Sequence, residues 1–300
     1  EATSNKPYIT INYISNIGLE DYWDFQTVNM GQSGNVYVNT YNGAYYYVHN
    51  DASTSGLVLP VAVSHIYGSP DMYNVNYGNM KFGRGFKINL IETVKSVNSN
   101  LIYTDSDGTE HTFTFDSSDN RLEMDDDPTT YLTAITGGYT LTYLNGTVKT
   151  FNSSGFLTEI KDNNNNTIEI IYSNSRITQV KSGANQTISF TYDSNNYLTK
   201  ITDNASRETS YTYTGVFLTG ITYPDGKHTY LSYSDDYLTE IKDNAAARWV
   251  IENTTARLLV NYFVKLKSIT KYGENNSSSY IDKLNFTYNS GFGNSTFLLP

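Results

Sequence analysis

A four-residue phrase recurs five times in the second half of the chain: Leu157-Thr158-Glu159-Ile160, Ile177-Thr178-Gln179-Val180, Leu198-Thr199-Lys200-Ile201, Leu218-Thr219-Gly220-Ile221 and Leu238-Thr239-Glu240-Ile241. The steps between copies are 20, 21, 20 and 20 residues. A fixed period of that length marks a repeat architecture, in which each unit is one supersecondary element that buries its apolar face only against its neighbours. Function in such a chain is read from an array rather than from one pocket.

The rest of each unit alternates apolar or aromatic residues: Ile168, Ile170, Tyr172; Ile188, Phe190, Tyr192; Thr209, Tyr211, Tyr213; Thr229, Leu231, Tyr233. Alternation is the period of a strand. Turn formers lie between, as in Asp162-Asn163-Asn164-Asn165-Asn166, Asp203-Asn204-Ala205-Ser206, Pro224-Asp225-Gly226 and Asp243-Asn244. Each unit therefore reads strand, turn, strand, turn. Leu157 and Ile160 are three apart and would face opposite sides of a flat strand. Either a bulge intervenes or both faces are covered, and the sequence leaves both open.

The first half is also β-rich but lacks the period. Tyr8 to Tyr13 alternates as a short strand, and Ile17 to Asp24 is the best helix candidate. Val36 to Tyr41 and Ala44 to His49 flank Asn42-Gly43, predicting a two-residue hairpin. Tyr103 to Asp105 and Thr109 to Phe115 flank Gly108, and Tyr139 to Tyr143 and Thr147 to Phe151 flank Leu144-Asn145-Gly146. After residue 250 the period blurs, with Leu266-Lys267-Ser268-Ile269 as an echo and Leu284 to Tyr288 like the Tyr strand. The expected fold is all-β, consecutive antiparallel hairpins forming a long spiral sheet. Residues 1–25 read as a linker or the end of a preceding domain, 26–150 as a non-repeating lead-in, and 151–300 as the array, clear over 151–253 and degenerate over 254–300. The whole reads as a segment of a longer protein.

Composition narrows the partners. A net charge of −10 with no cluster of Lys and Arg opposes binding to phosphate backbones. No apolar run approaches the ~20 residues of a helical membrane span. The chain has no Cys, so disulfides and thiolate metal sites are excluded. Tyr contributes 28 residues, and its apolar ring and polar tip suit strands that are half wet.

The array resembles the RHS or YD-repeat family, whose unit runs Gly-x-Leu-Thr-x-Ile-x-Asp-x-x-Gly-x-x-x-x-x-Tyr-x-Tyr-Asp. Gly155 to Asp162, Thr191-Tyr192-Asp193 and Thr212-Tyr213 carry the match, while the Gly after the turn survives at Gly226 and is Asn, Ser or Ala elsewhere. Val61 to Ser69, Phe82-Gly83-Arg84-Gly85-Phe86 and Tyr103 to Phe115 are similar to the family's lead-in, and Tyr8 to Trp23 to the linker of wall-associated Gram-positive members. The resemblance implies a spiral sheet forming a hollow shell that encloses a C-terminal toxin domain or displays a surface module. The family's self-cleavage motif, Asp-Pro-x-Gly-Leu, is missing; Asp127-Pro128-Thr129 is not it.

No catalytic, cofactor-binding or metal residues are assigned. His49, His65, His111 and His228 sit in separate segments, and a zinc site would need distant strands to converge; they read as solvent-exposed strand or turn residues. Gly83-Arg84-Gly85 reads as a bend where backbone passes closely, and Gly31-Gln32-Ser33-Gly34 as a loop. Asp105 to Glu110 reads as a hairpin turn, with calcium as the lesser alternative. The acidic run Glu123 to Asp127 reads as a solvated loop. The expectation is a non-enzymatic structural segment of a large secreted or cell-wall-associated protein, extracellular, covalently linked to a C-terminal effector. An adhesin module binding wall glycan or a surface protein through exposed Tyr rows is the alternative, and a carbohydrate-active enzyme the second.

Overall fold

A computed structural model of the protein describes residues 18–70, 77–97, 100–117, 121–125, 127–258, 261–274 and 279–288. The expected strand at Tyr8 to Tyr13 lies outside these. Among the described residues the regular structure is twenty-four strands and one 3-10 turn, Gly31–Ser33. Five strands, β1 (Phe25–Asn29), β2 (Asn35–Asn39), β3 (Tyr45–Ser53), β4 (Ala62–Gly68) and β5 (Phe86–Ile88), pair in that order as one antiparallel sheet. A second sheet starts with β6 (Thr93–Val97), β7 (Asn100–Thr104), β8 (Glu110–Asp116), β9 (Arg121–Met124), β10 (Tyr131–Ile135), β11 (Gly138–Thr142) and β12 (Val148–Asn152). The repeats add β13 (Leu157–Lys161), β14 (Thr167–Ser173), β15 (Arg176–Lys181), β16 (Thr187–Tyr192), β17 (Leu198–Thr202), β18 (Glu208–Thr214), β19 (Phe217–Thr222), β20 (His228–Ser234) and β21 (Tyr237–Asp243). Then come β22 (Arg248–Leu258), β23 (Asn261–Tyr272) and β24 (Tyr280–Asn285). Strands β6 to β24 pair antiparallel in chain order, and the sheet curls into a closed barrel. The fold is all-β, as the periodicity predicts.

The phrase owes its three-residue spacing to a bulge. Register shifts fall at Thr150/Phe151, Ile171/Tyr172, Thr191/Tyr192, Thr212/Tyr213 and Ser232/Tyr233. In each case the extra residue on the facing strand is the phrase's Thr: Phe151 pairs with Leu157 and Thr150 with Glu159, so Thr158 is left over. Its hydroxyl then donates to the facing strand's carbonyl, Thr158 to Thr150 at 3.0 Å and Thr199 to Thr191 at 3.1 Å, with Thr178, Thr219 and Thr239 repeating the bond. One inserted residue turns positions three apart onto one face. Leu157, Ile177, Leu198, Leu218 and Leu238 are fully buried, as are Val180, Ile201, Ile221 and Ile241.

The tyrosine ending each unit reaches back fifteen residues. The hydroxyls of Tyr172, Tyr213 and Tyr233 donate to the carbonyls of Leu157, Leu198 and Leu218 at 2.9, 2.7 and 2.6 Å. The residue before each phrase covers the ring: Phe156 on Tyr172, Tyr197 on Tyr213 and Phe217 on Tyr233, with the Arg176 guanidinium over Tyr192. Burial raises the pKa of all four tyrosines. The Tyr192 hydroxyl alone in this set is buried without a hydrogen-bond partner. Tyr213→Phe is therefore expected to cost about 1 kcal/mol, because it strands a carbonyl, and Tyr192→Phe to cost nothing. Urea unfolding of the pair checks this, and equal losses would contradict the hydrogen-bond assignment.

The turns explain the degenerate glycine. Asp162, Asp193 and Asp203 each accept, through Oδ1, the N–H groups two and four residues on. The fourth turn residue is left-handed: Asn165, Asn196, Ser206 and Ala246 have φ of 62, 68, 60 and 64°, and Gly226 has 80°. An Asx turn holds that conformation without requiring glycine.

The five-stranded sheet lies against the curled one and shares its core, which runs from Val36, Tyr45, Tyr47, Tyr67 and Phe86 through Leu157, Leu198 and Leu238 to Ile269. Its opposite face carries a smaller cluster of Ala44, Tyr46 and Ile66. Residue 150 lies inside β12, and the two sheets part between Ile88 and Thr93. Two local expectations change. The chain around Asn42-Gly43 forms a four-residue loop, closed by Asn39 N–H on the Ala44 carbonyl and shaped by Asn39 Oδ1 accepting from Tyr41 and Asn42. Residues 18–24 are turns and bends rather than a helix, with Gly18 pressed on Thr109 and Asp107.

Candidate functional site

Main-chain groups at the phrases face the lead-in, not solvent. Leu157 N–H donates to the Glu92 carbonyl, Val94 N–H to Gly155, Leu198 N–H to Lys81, Arg84 N–H to Val216, and Leu266 N–H to Gly43, all at 2.8–3.1 Å. Ile177 N–H points at Met80 Sδ, and Leu238 N–H donates to the Tyr67 hydroxyl. The lead-in thus runs along the column of phrases and satisfies groups that each bulge leaves unpaired. At the fifth phrase the pattern needs a tyrosine at position 253, where the chain has Asn. Tyr45 fills the gap, its hydroxyl donating to the Leu238 carbonyl at 2.9 Å while Asn253 Nδ2 donates to it at 3.4 Å. Gly83 is the expected bend, with φ of 100° and room for a Cβ closed off by Leu218.

Polar groups are buried along this seam. His49 and His65 face each other across β3 and β4, and Asp51 sits at the irregularity two residues beyond His49. Asp51 Oδ1 takes His49 Nδ1 at 2.7 Å, and Oδ2 takes His65 Nδ1. These side chains are 0–2 % exposed. Burial alone would push the Asp51 pKa up, but His65 and His49 hold it down at about 2. Tyr223 stacks on His49 and Tyr211 leans on His65. The reading of the histidines as solvent-exposed is corrected here: His49, His65 and His111 are all buried, each facing a carboxylate, Asp51 for the first two and Asp105 for the third.

A second buried network joins the lead-in to β12. Lys149 Nζ donates to Glu92 Oε2 at 2.7 Å and to the Tyr103 hydroxyl at 2.9 Å, and Tyr103 donates to the same Glu92 oxygen. Its Glu92 end is buried and its Lys149 end is half-buried, and it bonds the turn before β6 and strand β7 to β12.

The third polar group lies at the β7–β8 hairpin. Asp105 Oδ1 accepts three main-chain N–H groups, from Asp107, Gly108 and Thr109, each at 3.0 Å. Asp107 accepts the Thr109 N–H and hydroxyl through Oδ1 and the Leu19 N–H through Oδ2. The run is a hairpin turn, as the sequence indicates. Asp105 Oδ2 instead faces His111 Nε2 at 3.5 Å, and Glu20 Oε1 stands 3.6 Å from the same nitrogen. Burial lowers the His111 pKa, but the Asp105 and Glu20 carboxylates outweigh it and raise the value to about 10.

The acidic run Glu123 to Asp127 is only partly a loop. Glu123 belongs to β9 and pairs with Arg121 at 2.7 Å, and Asp127 caps Thr129 and Thr130; residue 126 lies outside the described residues. Gly31 to Ser33 is a 3-10 turn that buries Ser33 against Thr229.

With this geometry in place, the comparisons fall on the lead-in. Residues 36–113 match a family described as a domain of unknown function, DUF6531. The match covers the buried His-Asp-His cluster, the Phe82 to Phe86 bend and the β7–β8 hairpin as far as Phe113. No curated protein matches the chain.

Proposed function

We propose that this chain is a non-enzymatic wall segment of a large secreted or cell-wall-associated bacterial protein of the RHS/YD-repeat kind, serving to enclose a C-terminal effector. The observation that carries this reading is the curled sheet of bulged repeats sealed along its phrase column by a packed lead-in. Such a surface keeps its main chain satisfied while the array grows by whole units. The His49-Asp51-His65 cluster fits the same reading, since its side chains are buried and the array tyrosines Tyr211 and Tyr223 pack on its rings. The adhesin alternative rests on exposed tyrosine rows, and the unit tyrosines Tyr172, Tyr192, Tyr213 and Tyr233 are instead half-buried on the bulge column.

The test is expression of the full reading frame containing this segment, followed by gel electrophoresis and intact mass. A C-terminal fragment that is cut yet stays bound under native conditions, and resists added protease until the shell is denatured, is the expected result. A C-terminal region digested as fast as the free domain would overturn enclosure and favour surface display.

A further inference from the structure

We propose that Glu20, Asp105 and His111 hold one divalent transition-metal ion of the zinc type, which clips the segment preceding β1 to the β7–β8 hairpin. The sequence offers the Asp105 to Glu110 run only as a lesser calcium alternative and does not bring in Glu20, which lies far from the hairpin along the chain. Folding brings the three donor atoms, one from each residue, within 4.8 Å of one another.

Distances favour an ion over direct bonding. A charged N–H···O pair closes to about 2.7–2.9 Å, so His111 makes at most a long hydrogen bond to Asp105. His111 Nε2 stands 3.5 Å from Asp105 Oδ2 and 3.6 Å from Glu20 Oε1. Two ligands about 2.1 Å from a tetrahedral ion lie roughly 3.4 Å apart. The imidazole is buried, 8 % exposed, its ring stacked on Tyr103 and its Nε2 aimed between the two carboxylates.

The ligands are held in place independently of any ion. Asp105 is fixed by three N–H groups on Oδ1, which leaves Oδ2 turned towards His111. Glu20 is fixed through its neighbour, since Leu19 N–H donates to Asp107 Oδ2 at 3.0 Å. Gly18 comes so near that a Cβ there would lie 1.5 Å from Thr109 Oγ1. Three carboxylates, of Glu20, Asp105 and Asp107, gather here against one buried lysine, Lys87, which donates to the Asp105 carbonyl. One nitrogen and two oxygens suit zinc, cobalt or nickel, whereas calcium and magnesium take oxygen alone. The carboxylates are 22 % and 15 % exposed, which leaves that side open for a water or a fourth ligand.

The experiment is equilibrium dialysis of the whole chain, stripped with chelator, against zinc chloride. One equivalent is expected to bind, with His111→Gln and Glu20→Gln each weakening it at least tenfold, Glu159→Gln leaving it unchanged, and calcium failing to compete. Zinc should also slow proteolytic cutting before Phe25 in the wild-type chain, a readout that needs no variant to fold. Cobalt in place of zinc should give the visible absorption of a four- or five-coordinate ion. Absence of a stoichiometric site, equal binding by the folded His111→Gln and Glu20→Gln variants, or no zinc effect on cutting would overturn the proposal.

Discussion

Gly155→Ala lowers the unfolding free energy by roughly 2–5 kcal/mol, read as a fall in the urea midpoint at unchanged slope. Two effects combine. Gly155 has φ of 79°, where a Cβ costs about 1–2 kcal/mol. A Cβ there would also lie 2.1 Å from the Val94 carbonyl oxygen, so backbone has to move at the bond by which β6 meets the first phrase. Gly215→Ala is the internal control, because its φ is 59° and nothing lies within 4 Å of the added carbon. It should lose about 1 kcal/mol, the conformational part alone. Equal losses at the two positions would mean that β6 does not sit against the array as described.

Asp51→Ala is expected to cost about 3–5 kcal/mol, since it leaves two buried imidazoles facing a void where their carboxylate stood. The same pair gives an acid limb. A carboxyl held at about 2 in the folded chain, against an ordinary 3.8, contributes its stability in full above the unfolded value and loses it as pH falls through the folded one. That contribution is about 2 kcal/mol, lost between roughly pH 4 and pH 2. His49 and His65 face the group directly, and Tyr211 and Tyr223 pack on those rings without titrating in that range. Urea midpoints measured for wild type and Asp51→Asn from pH 5 to pH 2 check the sign. The variant should lose less stability across that window than the wild type, and parallel curves would refute the assignment.

Periodicity made the array legible because each unit's information is local: the strand alternation, the Asx turns and the Leu-Thr-x-Ile phrase lie within 20 residues. The bulge itself was foreshadowed by the three-residue spacing, yet only pairing shows that Thr158 and its counterparts are the extra residues. Much of what stayed hidden depends on partners far apart in the chain. Tyr45 replacing the tyrosine that Asn253 does not supply, with Tyr45 and Leu238 set 193 positions apart, leaves no mark on either segment. The same holds for Glu20 beside His111, whereas Asp51 lies near both histidines in the chain and stayed hidden because the strand irregularity that turns it towards them leaves no mark in the sequence. Chain separation put the Tyr45 and Glu20 contacts out of reach of a reading by motif. The Asn42-Gly43 turn misled for a different reason: Asn39 Oδ1 stabilises a wider loop than the dipeptide alone would favour.

The order in which the lead-in meets the phrases bears on how the protein is made. A ribosome delivers Tyr45, Tyr47, Tyr67 and Phe86 first, but the surfaces that cover them include Leu238 and Leu266. At about 5–20 residues per second, the interval between Tyr45 and Leu238 lasts roughly 10–40 s. For that time a sheet whose tyrosines end up wholly enclosed stands half-covered at the tunnel exit, while each arriving unit adds one more bond. Nascent chains of this protein should therefore bind holding chaperones until about residue 270 has emerged and release them abruptly afterwards.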